Sequence, residues 1–373
     1  MSNILVSHTF RTNSKLWGIQ STARELNAIS KWIGSKEFCL INFESDTNLS
    51  SSDLEQLYCN AGFPDILPII IRRRDNLHPY INAMYQLFHV SKTIALFWRA
   101  EKFVTIQQSW MLILILAAKF SKKSVCYGYG YDRYTVLANS KPKIHFYWPR
   151  LIWAFIENIL ASVIADLIIC TALPDVPLYK ALFKHKLAIV PKVNNHMFRQ
   201  SSYRDRSVDN VSNSIPAFIY SGRLTSDANV KNPDLLVAFF IQLSLHIPIR
   251  VVLALSHSEQ QDNREISSFI SRQKASHNAN NINLEVHRMT PVETLSELYQ
   301  YSDYVISLAI FDYAPKYIQE AVYCGCHALT LKNLKPYRFL RNDQYSILGN
   351  ALSSPGELVQ AFLKIHSRGT LIM

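Results

Sequence analysis

The chain has 373 residues, 49% of them hydrophobic, with 39 Lys+Arg against 28 Asp+Glu for a net charge of +11. That length suits two domains, each able to bury a core, and the composition excludes a mainly disordered protein. Its ten glycines are about 2.7% of the chain, far below the usual ~7%. Neither GxGxxG nor GxxxxGK[ST] occurs, which excludes the glycine-rich dinucleotide and P-loop fingerprints. The charge is lopsided: residues 1–200 hold 23 Lys+Arg and 13 Asp+Glu (net +10), and residues 201–373 hold 16 and 15 (net +1). A basic half attracts nucleic acid, an anionic membrane or phosphorylated substrates.

In chain order, Ile4–Ser7 is the first expected strand, which makes the N-terminus a buried strand rather than a signal peptide. A loop at Trp17-Gly18 and a helix over Ser21–Trp32 lead to a strand at Phe38–Phe43. Strands at Lys102–Ile106 and Ser124–Tyr127 flank an apolar helix, Trp110–Phe120. Its WMLILILAA core is about half a membrane span. Ile152–Cys170 is long enough to span, but Glu157, Asn158 and Asp166 inside it favour a buried or interfacial element. Short strands follow at Asp166–Cys170 and Leu187–Val190.

Residues 201–214 are polar and read as a linker. The alternation then restarts, with strands at Ala217–Tyr220, Arg250–Ala254, Asn283–Val286, Tyr304–Ser307 and His327–Leu331. Helices are expected between them at Pro233–Leu245, Glu265–Gln273, Pro291–Tyr301 and Pro315–Cys324. The expected organisation is α/β: a domain over 1–200, the linker, a second domain over 215–350, and a helical tail over 351–373 that could return to the first domain. Two doubly wound, Rossmann-like domains would face each other across a cleft, and ligands of such sheets bind beyond the C-terminal strand ends.

Chemistry concentrates in the second half. Arg223 follows a strand and Lys231 precedes a helix, a pair suited to a diphosphate or, read blandly, two solvated cations. In SDYVISLAIFDYAPKYIQEAVYCGCHALTL, Asp312 lies on a loop, Pro315 in the first helical turn and Glu320 on the helix. The two carboxylates could accept hydroxyl hydrogen bonds from a polyol, or be unrelated surface acids. His185, His196, His257 and His277 are scattered without metal spacing and read as surface or turn residues. None of the six cysteines forms a CxxC pair, and Cys324 and Cys326 are too close for a zinc knuckle, so a reducing, cytoplasmic compartment is expected.

These two segments resemble the C-terminal domain of GT-B-fold glycosyltransferases of family 4, the retaining, nucleotide-sugar-dependent group. GRL…KNPDLLVAF is similar to that family's GRL…KGxxxLIxAF element. The SDYV…CGCHAL segment is similar to its E-x7-E element. The resemblance implies that Arg223 and Lys231 hold the donor diphosphate, with Gly18 and the helix start after Pro315 also on the donor. It places Glu320 on the nucleotide ribose and Asp312 on the transferred sugar.

More loosely, Gly130-Tyr131-Asp132, Glu157-Asn158 with Ala165-Asp166, and Val190–Phe198 resemble elements of the bacterial surface-polysaccharide members. Asp132 reads equally as a positioning group or base, or as the cap of its turn. The resemblance implies a metal-independent transfer with no cofactor, to a lipid-linked or lipopolysaccharide acceptor, with the first domain binding the acceptor.

The stretch KPKIHFYWPRLIW, with Lys141, Lys143, Trp148 and Arg150, and the cluster Arg72, Arg73 and Arg74 suit an anionic membrane surface. They would make the protein peripheral at the inner face of the plasma membrane; the same residues also suit a solvated core face. Stacking on single-stranded nucleic acid has no supporting motif, so no nucleic-acid partner is expected. Family glycines are replaced here: Tyr313 follows Asp312, which itself stands for Glu, and His257 and Met289 occupy further glycine positions. A non-catalytic GT-B-like binding subunit is therefore the alternative.

Overall fold

The computed structural model describes residues 3–8, 29–34, 38–44, 51–60, 64–72, 88, 98–106, 116, 118–129, 156, 159–160, 163–170, 177–189, 198, 215–225, 231–275, 281–310, 312 and 315–371. The chain divides into two compact units, Met1–Pro191 and Lys192–Met373. This division falls upstream of the boundary expected at residue 200. Phe198 supplies the reason: it is buried with its ring 6.1 Å from Tyr299, inside the second unit. Residues 201–214 lie outside the described residues.

The first unit contains seven strands: β1 (Asn3–His8), β2 (Phe38–Glu44), β3 (Ile66–Arg72), β4 (Ala100–Ile106), β5 (Ser124–Tyr129), β6 (Leu167–Cys170) and β7 (Leu187–Ile189). Helices α1 (Ser51–Asn60) and α2 (Pro177–Phe183) lie between them in sequence. All pairings are parallel, in the order β3-β2-β1-β4-β5-β6-β7. Parallel strands need crossovers that cover the sheet, so the central strands carry a buried apolar core. Phe103, Val104, Val125, Cys126 and Ile168 are fully buried.

Several lysines of this unit serve the fold. Lys102 donates to the carbonyls of Trp32 (3.1 Å) and Ile33 (2.9 Å), at the end of the short helical segment 29–33. Lys123 donates to the Ala100 carbonyl, and Lys186 to that of Val163. Asp166 pairs with Lys119 at 2.5 Å and accepts the Val125 amide at 2.8 Å, tying β5 to the entry of β6.

The second unit repeats the plan with β8 (Ala217–Gly222), α3 (Pro233–Ser244), β9 (Ile249–Leu255), α4 (Arg264–Ala275), β10 (Ile282–Arg288), α5 (Val292–Gln300), β11 (Tyr304–Ser307), α6 (Lys316–Tyr323), β12 (His327–Leu331), β13 (Tyr345–Gly349) and α7 (Pro355–Leu371). Its six parallel strands run β10-β9-β8-β11-β12-β13. In α3, buried Leu236, Val237, Phe239, Phe240 and Leu243 recur at helical spacing, and Pro233 starts the helix.

The core gathers around Phe218 of β8. Its ring lies 5.4 Å from Tyr304 of β11, 5.7 Å from Phe240 of α3 and 5.1 Å from Phe362 of α7. The tail over 351–373 thus supplies a helix that packs on α3 and β13 of its own unit. Among the described residues no helix is long and apolar enough to cross a membrane, and the end of the Ile152–Cys170 run is strand β6.

Three histidines are partly or largely buried, and burial is the first cause lowering each: His257, His366 and His327, the last held down to about 4. A histidine lowered on folding contributes stability above its unfolded pKa near ~6.5, and that contribution is lost as pH falls toward its folded value. For His327 alone the linkage is on the order of 3 kcal/mol. Urea denaturation of wild type should show a stability decline between pH 6.5 and 4, and His327→Gln should decline less steeply. Parallel curves for the two proteins would contradict the burial argument.

Candidate functional site

In a doubly wound sheet the crevice opens where the strand order reverses. Here that point lies between β8 and β11, which pair side by side. The loop after β8 carries Arg223 and the loop after β11 carries Asp312.

β8 ends on Gly222 at φ 141, a left-handed backbone region that only glycine enters without strain. Arg223 follows it and is exposed, while Ser221, Leu224 and Thr225 on either side are buried. The chain therefore presents one side chain from an otherwise anchored segment. Among the described residues Arg223 has no ion-pair partner, whereas Lys231 is ion-paired with Asp312 across 81 residues of sequence. Both groups of that pair are about a fifth to a quarter exposed.

Asn232, between Lys231 and Pro233, sits at φ 54. The resemblance places glycine here, and asparagine is among the side chains that best tolerate this conformation. Met289, at another of the replaced glycines, also keeps a positive φ of 50. The backbone turns survive the loss of the glycines.

Beneath the Lys231–Asp312 pair are two buried tyrosines. The rings of Tyr220 and Tyr317 lie 5.4 Å apart, and the Tyr220 hydroxyl donates to the Arg223 carbonyl at 3.2 Å. Burial first, then the Asp312 charge, raises the Tyr220 phenol far above its ordinary value. Burial likewise leads the rise at Tyr317, so both phenols stay neutral.

Pro315 is the residue before α6 and offers no capping side chain, which leaves this helix end to its backbone amides and dipole. The helix closes in a Schellman motif: Gly325 at φ 99 donates to Val322 at 3.0 Å, and Cys326 donates to Ala321 at 2.9 Å. Glu320, one turn from that end, is only 9% exposed. Its charge, second to burial, raises the phenol of Tyr299 on α5. Glu320 is thus a half-hidden carboxylate rather than an open surface acid.

The structure therefore places Lys231 against Asp312, both over the Tyr220–Tyr317 floor, with Arg223 one loop away and Pro315 at the following helix start. Gly18, Asp132, Lys141, Lys143, Trp148, Arg150, Arg73 and Arg74 lie outside the described residues. Arg72 ends the edge strand β3.

His257 lies in the bend after β9, as a turn residue should, but it is not on the surface. It is 4% exposed, and its Nε2 lies 2.9 Å from Asp262 Oδ1. Arg288, at the end of β10, also holds Asp262. Sequence spacing gave no sign of this cluster, because its three members come from one loop and a separate strand. Among the described residues no group of three or more His, Cys, Asp or Glu could hold a metal ion, and no disulfide is formed.

Two parallel doubly wound sheets in sequence define a GT-B-type fold, and solved structures of that kind match nearly the whole chain. HepE from Anabaena in complex with UDP-glucose superposes with a TM-score of 0.59 at 13% identity, covering 100% of this chain and 94% of its own. Sucrose-phosphate synthase from Thermosynechococcus elongatus gives 0.61 at 12%, with coverages of 99% and 91%. UDP-GlcNAc 2-epimerase from Neisseria meningitidis bound to UDP-GlcNAc gives 0.56 at 12%, with 98% and 91%. No family model matches the sequence, and no curated protein does.

The Lys231–Asp312 pair is accessible to a double-mutant cycle with alanine at each position. Urea denaturation should return a coupling of about 1 kcal/mol that shrinks in high salt. A coupling of zero would mean that the two loops are not held together by this contact.

Proposed function

We propose that the chain is a glycosyltransferase that moves a sugar from a nucleoside-diphosphate sugar to a lipid-linked or surface-polysaccharide acceptor, with retention. The observation that carries this reading is the gathering of Arg223, Lys231, Asp312 and the α6 N-terminus at the order reversal of the second sheet. Support also comes from the motif resemblance and from structures of similar fold that hold UDP-glucose and UDP-GlcNAc.

In this reading Arg223 forks onto the diphosphate, Lys231 adds a point charge, and the amides after Pro315 receive the remaining oxygen. Glu320 accepts from the ribose hydroxyls and Asp312 from the transferred sugar. The bond between the anomeric carbon and the diphosphate oxygen breaks as the acceptor hydroxyl bonds to the same face. The acceptor proton passes to the departing diphosphate. Cations and helix amides neutralise that leaving group, so the proposed step uses neither metal nor cofactor.

By the motif resemblance, Gly18 has a donor-binding role and Asp132 that of a positioning group or base. Lys141, Lys143, Trp148 and Arg150, with Arg72–Arg74, would hold the protein peripherally on the anionic inner face of the plasma membrane, with no nucleic-acid partner. The alternative, a binding subunit without catalysis, draws on the replaced loop glycines and on Lys231 being already engaged by Asp312.

A thermal-shift panel of UDP, GDP, dTDP and CMP tests the nucleotide site. One of them should raise the melting temperature, corresponding to about 2.7 kcal/mol at a hundredfold excess over Kd. Arg223→Ala and Glu320→Gln should each reduce the shift; a panel with no shift at all would sink the reading.

Transfer itself is tested with the matching nucleotide sugar and a membrane-lipid acceptor. Wild type should form glycosylated lipid, and Asp312→Ala should reduce its rate by more than ~100-fold. Nucleotide binding without product would favour the binding-subunit alternative. Epimerised donor sugar would replace transfer with another reaction.

A further inference from the structure

A buried ionic cluster lies beside the loop that carries Arg223. The Asp262 side chain, 1% exposed, accepts Nη1 and Nη2 of Arg288 at 2.9 and 2.6 Å and faces Nε2 of His257 at 2.9 Å. An ionised carboxylate only accepts, so Nε2 is the donor and Nδ1 carries the imidazole lone pair. That Nδ1 is buried with no hydrogen-bond partner among the described residues. Burial is the first cause acting on the His257 pKa; Asp262 opposes it, the charges of Arg288 and Arg223 add to it, and the net shift is downward, which favours the neutral ring at pH 7. The cluster is thus one carboxylate held by one guanidinium and one neutral ring.

Stability alone is a weak reason for such an arrangement. Withdrawing a carboxylate and a guanidinium from water costs several kcal/mol, and apolar replacements of buried ion pairs are often neutral or better. What the cluster does hold is a direction in space. The loop over 256–263 runs along the segment 222–225 and grips it at both ends. The Ser256 amide donates to the Gly222 carbonyl at 3.1 Å, and the Asn263 amide to the Leu224 carbonyl at 2.8 Å. Asp262 itself forms an antiparallel bridge with Thr225. Arg288 fastens this loop to the end of β10. Gly222 provides no stiffness of its own, since glycine is the most permissive backbone. The heading of Arg223 is therefore set by the grip.

We propose that Asp262 is a positioning residue for Arg223: joined to Arg288 and His257, and bridged to Thr225, it fixes the direction from which the guanidinium meets a ligand's diphosphate. This role rests on the nucleotide-sugar reading given above.

The experiment is a double-mutant cycle on nucleotide affinity, by calorimetric titration with whichever of UDP, GDP and dTDP wild type binds. Asp262→Asn should weaken binding about tenfold in the wild-type background and less than about twofold in the Arg223→Ala background. Glu285→Gln, which breaks an ion pair with Arg250 on the same strand pair β9–β10, should bind like wild type. Loss of global stability alone would move neither the affinity of the folded protein nor its dependence on Arg223.

Equal weakening in both backgrounds, or none in either, would overturn the role. Should Asp262→Asn not fold, Arg288→Lys keeps the charge but loses the fork. It carries the same expectation, weakening confined to the background that retains Arg223. Wild type that binds no nucleoside diphosphate overturns the nucleotide reading and this role together, while binding with additive variants overturns the role alone.

Discussion

Everything proposed for the second unit depends on β8 being paired with β9 on one side and β11 on the other. A parallel sheet built outward from a central strand sends successive crossovers to opposite faces, so the loops leaving β8 and β11 are left adjacent and uncovered. Into that gap the chain delivers a guanidinium, an ammonium, a carboxylate and a helix start. The Lys231–Asp312 pair joins the two loops that border the gap. Tyr220 and Tyr317, buried and 5.4 Å apart, lie near this pair.

The charge asymmetry has a more ordinary component than sequence alone suggests. Lys102, Lys119, Lys123 and Lys186 of the basic half are occupied by backbone carbonyls or by Asp166. Their ammonium groups finish helix ends and strand entries, and only the remaining cations contribute to an open basic surface. This weakens any inference that treats the net +10 as a single field directed at a membrane.

The second unit was the more legible half. Tyr304–Ser307 and His327–Leu331 were read to the residue, because buried parallel strands are short apolar runs bounded by polar turns. The edges escaped. β3 contains Pro68, which argues against a strand unless one side needs no hydrogen bonds, and an edge is where that holds. β13, at the other sheet's edge, is only partly buried and lacks a clear apolar pattern. Helices α1 and α2 are short, and α1 is largely polar. Within the site, Arg223, Lys231 and Asp312 were visible because each borders an element. Tyr220 and Tyr317 looked like ordinary core, and the partners of Asp262 are joined by tertiary structure alone. Asn232 and Met289 both adopt a positive φ without glycine.

The position of α7 limits how this protein can be divided. Phe362 lies against Phe218, and His366 Nδ1 meets the Tyr304 hydroxyl at 3.1 Å, so the last helix completes the aromatic centre on which β8 and β11 rest. A second-unit fragment ending before Pro355 would uncover the apolar face of β8 and β11 against which Phe362 packs. Any dissection into halves must therefore keep this helix, and a label placed on its inner face would be read out as a change in the opposite end of the sheet.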